Sequence, residues 1–461
     1  MINTEQLSIN QQRRQPTLSS TSHLPLIGSI PQMMRQQTAF LTEAHRKHGD
    51  IFNMSLGPLS FVALNHPEQA QHLFIDNARN YTKDSAFWES IRTLLGNGLP
   101  LSQGDFWLRQ RRMIQPQFHR QRLVDMGNLM NEAIHKSMAS WESIANGETP
   151  FDIAHEMTQV TMSVIVRTMF GTDLADEDSD TVADEMNYAL NYMVFGMIAH
   201  SIPDWVPVPG RKRYLGSIAA IDDVVFRVIE QRHQEKTEGA DLVSILYNMV
   251  DAETGERMTG QQLRDEAVSM FIAGYETTAV SLAWAFHFLS QRPEIERKLV
   301  DEVDSVLNGR VPTFADLPKL TYTKMVLQEA MRLYPPAFWL PRTAIEDDEI
   351  DGYHIPAGST VGAVIYNIHR NPAIWEEPDE FIPERFTPDK MEQRHKLAWM
   401  PFGAGQRMCI AKEFALMEGQ LILAQAMQRY RITPIPGRTV QPALTTSLRV
   451  KDGVWVTLER R

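Results

Sequence analysis

The segment from Thr259 to Ser290 constrains the fold of this chain more than any other. Thr259 and Gln262 form a capping box, in which each side chain satisfies a backbone N–H of the other, so a helix is predicted to begin there. Pro293 ends the pattern just beyond Ser290. Such a helix is about 45 Å long and can cross a whole domain. It is apolar nearly all round over residues 268–289, which predicts a buried helix surrounded by the rest of the chain.

The middle of this helix contains residues that a buried helix ordinarily avoids. The run Ala273-Gly274-Tyr275-Glu276-Thr277-Thr278 places a glycine, an acid and two β-branched alcohols together. Conflicts of this kind concentrate at functional sites. Taken alone, Thr277 would simply bond back to a carbonyl one turn earlier. Glu276 and His287 also interrupt the apolar run, so we expect no membrane span.

The only cysteine of the chain, Cys409, lies in a second constrained segment. A single thiol excludes an intramolecular disulfide and a cysteine-rich zinc or iron–sulfur site. Gly403 and Gly405 favour turns with positive φ, and strong helix formers follow from Lys412. At such a junction the helix dipole, together with nearby Arg407, favours a thiolate. An isolated cysteine is more often simply buried, but this setting suits a soft metal ligand.

The spacing Phe402-x-x-Gly405-x-Arg407-x-Cys409 resembles the haem-binding loop of the cytochrome P-450 family. One position departs from that loop, since Ala411 stands where the family usually has glycine. The resemblance implies haem b as cofactor, with Cys409 as the axial ligand of the iron and with Phe402 and Arg407 in contact with the haem. It also implies a mainly α fold with a small β region. In that fold the long central helix lies over the haem, and the cysteine loop lies on the other face.

The same resemblance gives the central helix a chemical role. It implies that Ala273 and Gly274 make room for O₂ beside the haem. Thr277 is then expected to be catalytic, stabilising the bound dioxygen, and Glu276 is expected to belong to the path that delivers protons.

Two further arginines are expected at the haem. Trp107 and Arg111 are one helical turn apart, so they share a helix face. The resemblance implies that this pair holds a haem propionate, with Arg407 and Arg342 as further contacts. Arginine suits this task because its planar fork pairs with carboxylates through two hydrogen bonds.

A structural cluster is expected at Glu329, Arg332 and Arg385. Taken alone, Glu329 and Arg332 would be an ordinary solvated pair one helical turn apart. The prolines after Leu333 and the Pro383-Glu384-Arg385-Phe386 segment strengthen the resemblance to the family. It implies that the three charges form a buried cluster that fixes the approach to the cysteine loop.

Composition bounds the remaining possibilities. The chain carries 45 Lys and Arg against 57 Asp and Glu, a net charge of −12, which argues against a nucleic-acid-binding protein. Residues 1–22 are polar and are expected to be a disordered tail without a membrane anchor, followed by one catalytic domain over residues 23–461. A cytoplasmic location is expected. Patterns in the chain also predict a hairpin over residues 51–64 and late strands over residues 352–364 and 450–458.

The expected function is that of a haem-thiolate monooxygenase. Such an enzyme inserts one oxygen atom from O₂ into an apolar substrate, here of terpenoid, fatty acyl or polyketide type. Electrons are expected from a ferredoxin or flavodoxin with its NAD(P)H reductase. The alternatives are a peroxygenase or isomerase of the same fold, whose branches tend to lack the Glu276–Thr277 pair, and a non-catalytic haem gas sensor. A sensor would need no oxygen-activation groove.

Two sets of surface and pocket residues complete the expectations. An apolar substrate pocket is expected from residues in four separate segments, namely Phe87, Trp88, Met193, Phe195, Phe338, Trp339 and Leu448. A basic docking face for the acidic redox partner is expected on the cysteine side, at Arg109, Arg112, Arg120, Arg122 and Lys412.

Overall fold

A computed structural model gives the structure of the chain. It describes residues 17–22, 27–56, 59–171, 176–199, 205–235 and 241–461. Helices dominate these ranges, and the strands form small sheets.

The helices are α1 (Ile30–Gln36), α2 (Thr38–His48), α3 (Pro67–Gln71), α4 (Ala86–Leu95), α5 (Gly104–Ile114), α6 (Arg120–Met138), α7 (Ile153–Phe170), α8 (Asp176–Ala199), α9 (Arg211–Glu235), α10 (Leu242–Asn248), α11 (Gly260–Gln291), α12 (Pro293–Leu307), α13 (Thr321–Leu333), α14 (Ile365–Ile368), α15 (Pro388–Glu392) and α16 (Lys412–Arg429).

The strands are β1 (Ile51–Leu56), β2 (Leu59–Leu64), β3 (Tyr81–Thr82), β4 (Phe151–Asp152), β5 (Leu340–Ala344), β6 (Asp348–Ile350), β7 (Tyr353–Ile355), β8 (Thr360–Ala363), β9 (Tyr430–Pro434), β10 (Gln441–Leu444), β11 (Leu448–Lys451) and β12 (Trp455–Arg460). They form a five-stranded sheet in the order β1-β2-β8-β5-β3, a three-stranded sheet in the order β4-β12-β9, and the pairs β10-β11 and β6-β7. The predicted first hairpin is confirmed, with Ile51 opposite Leu64.

The central helix is confirmed as α11. Thr259 caps it, and the reciprocal bonds with Gln262 are both present. Nearly all its apolar side chains from Leu263 to Leu289 are buried, because α7, α9, α13 and α16 pack around it. Close stacking fixes its C-terminal half, where the Trp284 and Tyr334 rings lie 3.6 Å apart. The helix therefore provides a fixed wall through the middle of the domain.

The expected disordered tail is wrong for its last residues. Asn53 of β1 donates its N–H to the Ser19 carbonyl at 2.8 Å and accepts from the Thr21 N–H at 3.0 Å. These bonds pair residues 19–21 with the edge of the first sheet, which satisfies backbone groups that β1 would otherwise leave open. Residues 1–16 lie outside the described residues. Among the described helices, none has the length and apolar character needed to cross a membrane.

Candidate active site

A cavity of about 310 Å³ lies between α11 and the cysteine loop, defined as residues Pro401 to Ala411. One wall carries Ala273, Gly274 and Thr277 of α11. Every predicted cofactor residue lines this cavity, namely Phe402, Arg407, Cys409, Trp107, Arg111, Arg342, Ala273 and Gly274. The fold thus brings together residues from four separate parts of the sequence.

Glycine is required at two positions of the cysteine loop. Gly403 and Gly405 have φ angles of 72° and 66°, as predicted. A Cβ on Gly405 would also lie 2.0 Å from the carbonyl oxygen of Phe74, so the close approach excludes any side chain. Ala411, in contrast, has a φ of −96°. Alanine adopts this conformation freely, which explains why glycine is not needed there.

Cys409 closes the loop and faces the cavity. Its N–H donates to the carbonyl of Phe402 at 2.9 Å, so the loop turns back on itself at the thiol. Burial raises the pKa of the thiol, whereas the backbone N–H of Ala411 and the charges of Arg111 and Lys412 lower it. The expectation that Arg407 favours the thiolate needs correction, since Arg111 and Lys412 do so instead. Burial has the larger effect, so the pKa of the thiol lies above its ordinary value and the neutral thiol is favoured.

Four cationic side chains line the cavity, Lys83, Arg111, Arg342 and Arg407, and no carboxylate is among the described residues that line it. Burial, followed by the charge of Arg407, lowers the pKa of Arg342 to about 9. Burial, followed by the charges of Arg342 and Arg407, lowers the pKa of Lys83 well below its ordinary value. A buried group of like charges is costly unless anions join it. This cavity is therefore built to receive a ligand with carboxylates.

Lys83 is a member of this group that sequence reasoning did not find. It donates to the carbonyl of Pro100 at 2.6 Å and lies 4.9 Å from the centre of the Trp88 ring. A single lysine after a short strand has no sequence pattern that marks it. Only the folding of the segment before α4 over the cavity reveals it.

The orientation of Arg407 is fixed by its neighbours. Its guanidinium lies 3.9 Å from the centre of the Trp107 ring and donates to the carbonyl of Ser102 at 2.7 Å. Arg111 donates to the carbonyl of Met408 at 3.0 Å, which links α5 to the cysteine loop. These contacts hold two of the four cations in place at the cavity edge.

The predicted structural cluster is confirmed as a buried, bidentate ion pair with a third charge beside it. Arg332 donates to both carboxyl oxygens of Glu329, at 2.7 and 2.8 Å, and both side chains are fully buried. Arg385 lies 3.4 Å from the same carboxylate. Arg332 also donates to three carbonyl groups, those of His369, Pro378 and Glu380. The cluster therefore fastens the segment that leads to the cysteine loop.

His369 carries this support to the loop itself and was not predicted from sequence. One ring nitrogen accepts from the N–H of Met400 at 2.9 Å, and the other lies 3.2 Å from the carbonyl of Arg332. The first bond requires an unprotonated Nε2, so the ring is neutral with its proton on Nδ1. Burial, followed by the charge of Arg332, lowers the pKa of His369 to about 3.

On the opposite wall, Thr277 and Gly274 face the cavity. The Thr277 hydroxyl donates to the carbonyl of Ala273 at 2.7 Å, the local bond that an isolated threonine makes in a helix. A Cβ on Gly274 would lie 2.5 Å from Cδ1 of Ile165. The glycine therefore allows α7 to approach α11 closely, in addition to keeping the cavity wall smooth.

Glu276 does not line the cavity. Its carboxylate accepts two hydrogen bonds from Arg449, both at 2.6 Å, and one from the Ser447 hydroxyl at 2.6 Å. Arg449 belongs to β11, so the ion pair ties the last hairpin to α11. Thr277 therefore faces the cavity, whereas its neighbour Glu276 does not. The role of Glu276 in proton delivery stays a prediction.

The expected substrate pocket needs correction. Of the expected residues, Trp88, Met193, Phe338, Trp339 and Leu448 are not among the described residues that line the cavity. Met193 and Leu448 are buried in hydrophobic clusters, and Phe338 and Trp339 pack against one of them. Large apolar side chains fill cores more often than pockets. The side chains of Phe87 and Phe195 lie outside the described residues.

Comparison with known proteins decides the family. A family model described as Cytochrome P450 matches residues 18–456. The chain belongs to the cytochrome P450 family. It is 34% identical over 431 residues to cyclooctatin synthase of Streptomyces melanosporofaciens, with 92% of each chain covered. It is 32% identical over 425 residues to pentalenene oxygenase of Streptomyces avermitilis, with 92% of this chain and 93% of that protein covered.

A solved structure extends this likeness to the fold. The crystal structure of the cytochrome P450DA heme domain superposes with a TM-score of 0.88 at 25% identity, covering 97% of this chain and 99% of that one. The predicted fold class and the haem cofactor are thereby confirmed. The residues of the cavity in this P450 also fit haem. One thiol can bind its metal, and four cations can pair with its two carboxylates.

Proposed function

We propose that this P450 inserts one atom of O₂ into a terpenoid-like apolar substrate, with electrons supplied by separate proteins. The supporting observation is the cavity, whose walls are the Cys409 thiol on one side and the apolar face of α11 with Thr277 on the other. Apart from the four cations at its edge, the lining is largely apolar. Bound haem supplies the oxidising chemistry. The protein positions the substrate, excludes water and places protons.

Relatives support the choice of substrate class. Cyclooctatin synthase, cyclooctat-9-en-7-ol 5-monooxygenase and pentalenene oxygenase, the first two from one Streptomyces species, modify terpenoids. With the four cations paired by the haem propionates, the rest of the lining is largely apolar, which suits such a hydrocarbon skeleton. The binding of a terpenoid hydrocarbon, followed through the haem spin state, should exceed that of a fatty acid of similar size.

Roles follow for the residues at the cavity. Cys409 would bind the iron of the haem, and Lys83, Arg111, Arg342 and Arg407 would pair with its propionates. The Thr277 hydroxyl, which donates to the Ala273 carbonyl, would be free to turn toward an oxygen acceptor in the cavity and orient it at the helix wall. The exchange costs little, because a hydroxyl can rotate between acceptors.

The decisive experiment compares Thr277→Ala with Thr277→Ser. Both variants should keep haem and consume NAD(P)H through surrogate redox partners. Thr277→Ala should divert most electrons to hydrogen peroxide, whereas Thr277→Ser should keep most of the wild-type product yield. Product, peroxide and NAD(P)H are measured in one reaction. Wild-type yields in Thr277→Ala would instead favour a peroxygenase of the same fold.

Redox partners are proposed to dock on a groove behind the cysteine loop. This groove has a volume of about 1110 Å³ and is lined by the back of the loop and by basic side chains. Glu413 is its only acid among the described residues. The basic side chains are Arg120, Lys324, Arg394, Lys396 and Lys412. Arg109 and Arg112 were also expected to attract the partner, but acids already pair with both. Glu256 pairs with Arg109, and Asp251 and Glu253 pair with Arg112.

An acidic ferredoxin or flavodoxin fits this basic groove. Lys324→Glu and Lys412→Glu should slow reduction and reduce its dependence on ionic strength, without changing substrate affinity. Lys451→Glu makes the same change of charge on β11, away from the groove, and should leave reduction unchanged. Equal effects of all three would contradict docking at the groove.

A further inference from the structure

Glu418 is a buried acid that the roles above do not use. It lies on α16, which begins directly after the cysteine loop and packs against α11. Its side chain is 1% exposed, and neither carboxyl oxygen has a hydrogen-bond partner of standard geometry among the described residues. Buried polar groups without partners are rare and costly, so one that a fold retains calls for an explanation.

Thr278 of α11 is the polar neighbour of this acid. Burial raises the pKa of Glu418 to about 8, and the Thr278 hydroxyl lowers it in part. The elements packed against α16 are α6, α11, α12, α13 and β9, and none of them contributes a charge that shifts this pKa. The carboxyl group therefore keeps its proton at neutral pH, in contrast to Glu276, which accepts three hydrogen bonds from Arg449 and Ser447.

Thr278 connects the acid to the cavity. It lines the cavity beside Thr277, although its side chain is 2% exposed, and within the described part of the chain its hydroxyl also has no partner of standard geometry. One hydroxyl group thus separates a protonated carboxyl from the space next to Thr277. Ser281, one turn further along α11, lines the same wall and is already bonded to the Thr277 carbonyl.

We propose that Glu418 is a proton store for the reaction and that it delivers its proton to the cavity through the hydroxyl of Thr278. The Glu418 O–H bond breaks as the oxygen of Thr278 accepts the proton, and Thr278 passes its own proton to an acceptor oxygen in the cavity. No electrons move, and Glu418 is left as a carboxylate. Water entering the cavity between turnovers returns a proton by the reverse route. The inference rests on the proposed oxygenase function.

Infrared spectroscopy of the haem-loaded protein tests whether the store is filled. A carbonyl band of a protonated carboxyl group should be present at pH 6, should disappear with a midpoint near pH 8, and should be missing in Glu418→Gln. Glu266→Gln is the control, because burial raises the pKa of Glu266 to about 8 as well, and its loss should leave the Glu418 band in place. Identical spectra of wild type and Glu418→Gln at pH 6 would overturn the proposal.

Coupling tests whether the proton travels through Thr278. Thr278→Val removes the hydroxyl at nearly constant volume, and Thr278→Ser keeps it while losing a methyl group. Glu418→Gln and Thr278→Val should lower product per NAD(P)H severalfold, whereas Thr278→Ser stays near wild type. All three should retain the thiolate-type carbon monoxide spectrum. A packing role alone predicts the reverse order for the Thr278 variants, and that result would contradict the route.

The proposed function and the proton store would be contradicted by different results. If wild type forms no oxygenated product with any redox partner, the proposed function fails and the proton store fails with it. If wild type forms product and the product yield per NAD(P)H is the same in Glu418→Gln and Thr278→Val, only the proton store is wrong. Should Glu418→Gln fail to fold, the pair of Thr278 variants still decides the route.

Discussion

The cysteine loop and the cavity wall of α11 face each other, yet their polar groups are satisfied very differently. On the loop side, Gly405 is packed against the backbone, His369 is bonded at both ring nitrogens, and Glu329 and Arg332 form a fully buried bidentate pair. On the helix side, Thr278 of α11 and its neighbour Glu418 of α16 are buried without standard hydrogen-bond partners among the described residues.

This difference matches what each side must do. A metal ligand has to stay in one position, and paired, buried groups rigidify their surroundings. A proton has to move, and a group with a spare donor or acceptor can pass it on without first breaking a strong bond. The loop side is therefore expected to respond to mutation through loss of cofactor or fold, and the helix side through coupling and pH dependence.

The largest effect is expected at the thiol. Cys409→Ser removes the only cysteine of the chain, so the carbon monoxide complex of the reduced protein should lose its thiolate-type spectrum, and turnover should stop. Ala411→Gly is the matched control in the same loop, because the φ of −96° suits either residue, and it should keep the spectrum. A thiolate-type spectrum in Cys409→Ser would show that the iron ligand lies elsewhere.

The buried cluster should give the next largest effect. Glu329→Ala leaves the Arg332 charge unpaired in the core, which is expected to cost about 3–5 kcal/mol and to leave little haem-loaded protein. Asp304→Ala breaks the exposed pair with Arg461 and should cost less than about 1 kcal/mol. Denaturant unfolding and haem content measure both. A stable Glu329→Ala protein with full haem content would contradict a structural role of this pair.

A smaller effect is expected at Glu276, where the acid is held by charge but lies outside the cavity. Glu276→Gln and Arg449→Gln should each lower the free energy of unfolding by about 1–3 kcal/mol, and the double variant by less than the sum. Product per NAD(P)H should stay at the wild-type level if the pair only fastens β11 to α11. Slow turnover of a fully stable Glu276→Gln would instead support its expected role in proton delivery.

The most gradual effect is a pH dependence at Glu418. The folded protein holds this proton up to about pH 8, whereas the unfolded chain releases it near 4.5, the ordinary value. Between these values the unfolded state binds fewer protons, so stability falls as pH rises, by at most about 1.4 kcal/mol per pH unit. The free energy of unfolding of wild type minus that of Glu418→Gln, measured across this pH range, isolates the contribution of Glu418. A difference that is flat from pH 5 to pH 8 would place Glu418 in an ionised state.

Local patterns were enough to predict the scaffold of the site. The capping box at Thr259 fixed the start of α11, and its apolar surface predicted its burial. Positive φ at Gly403 and Gly405 and the helix after Lys412 also followed from residue types alone, because backbone sterics and helix propensity act over a few residues. The resemblance to the family's haem-binding loop identified Cys409 and most of the residues that meet it in the cavity.

Only the tertiary structure decided how distant side chains meet. Lys83 joined the cations, Glu276 was bound by Arg449, and Glu418 was left beside Thr278, although none of these pairs is near in sequence. The aromatic residues expected in the pocket, such as Trp339, packed into the core instead. Burial and pairing depend on which elements pack together, and no local pattern encodes that choice. The charges and protonation states of this site are therefore properties of the fold.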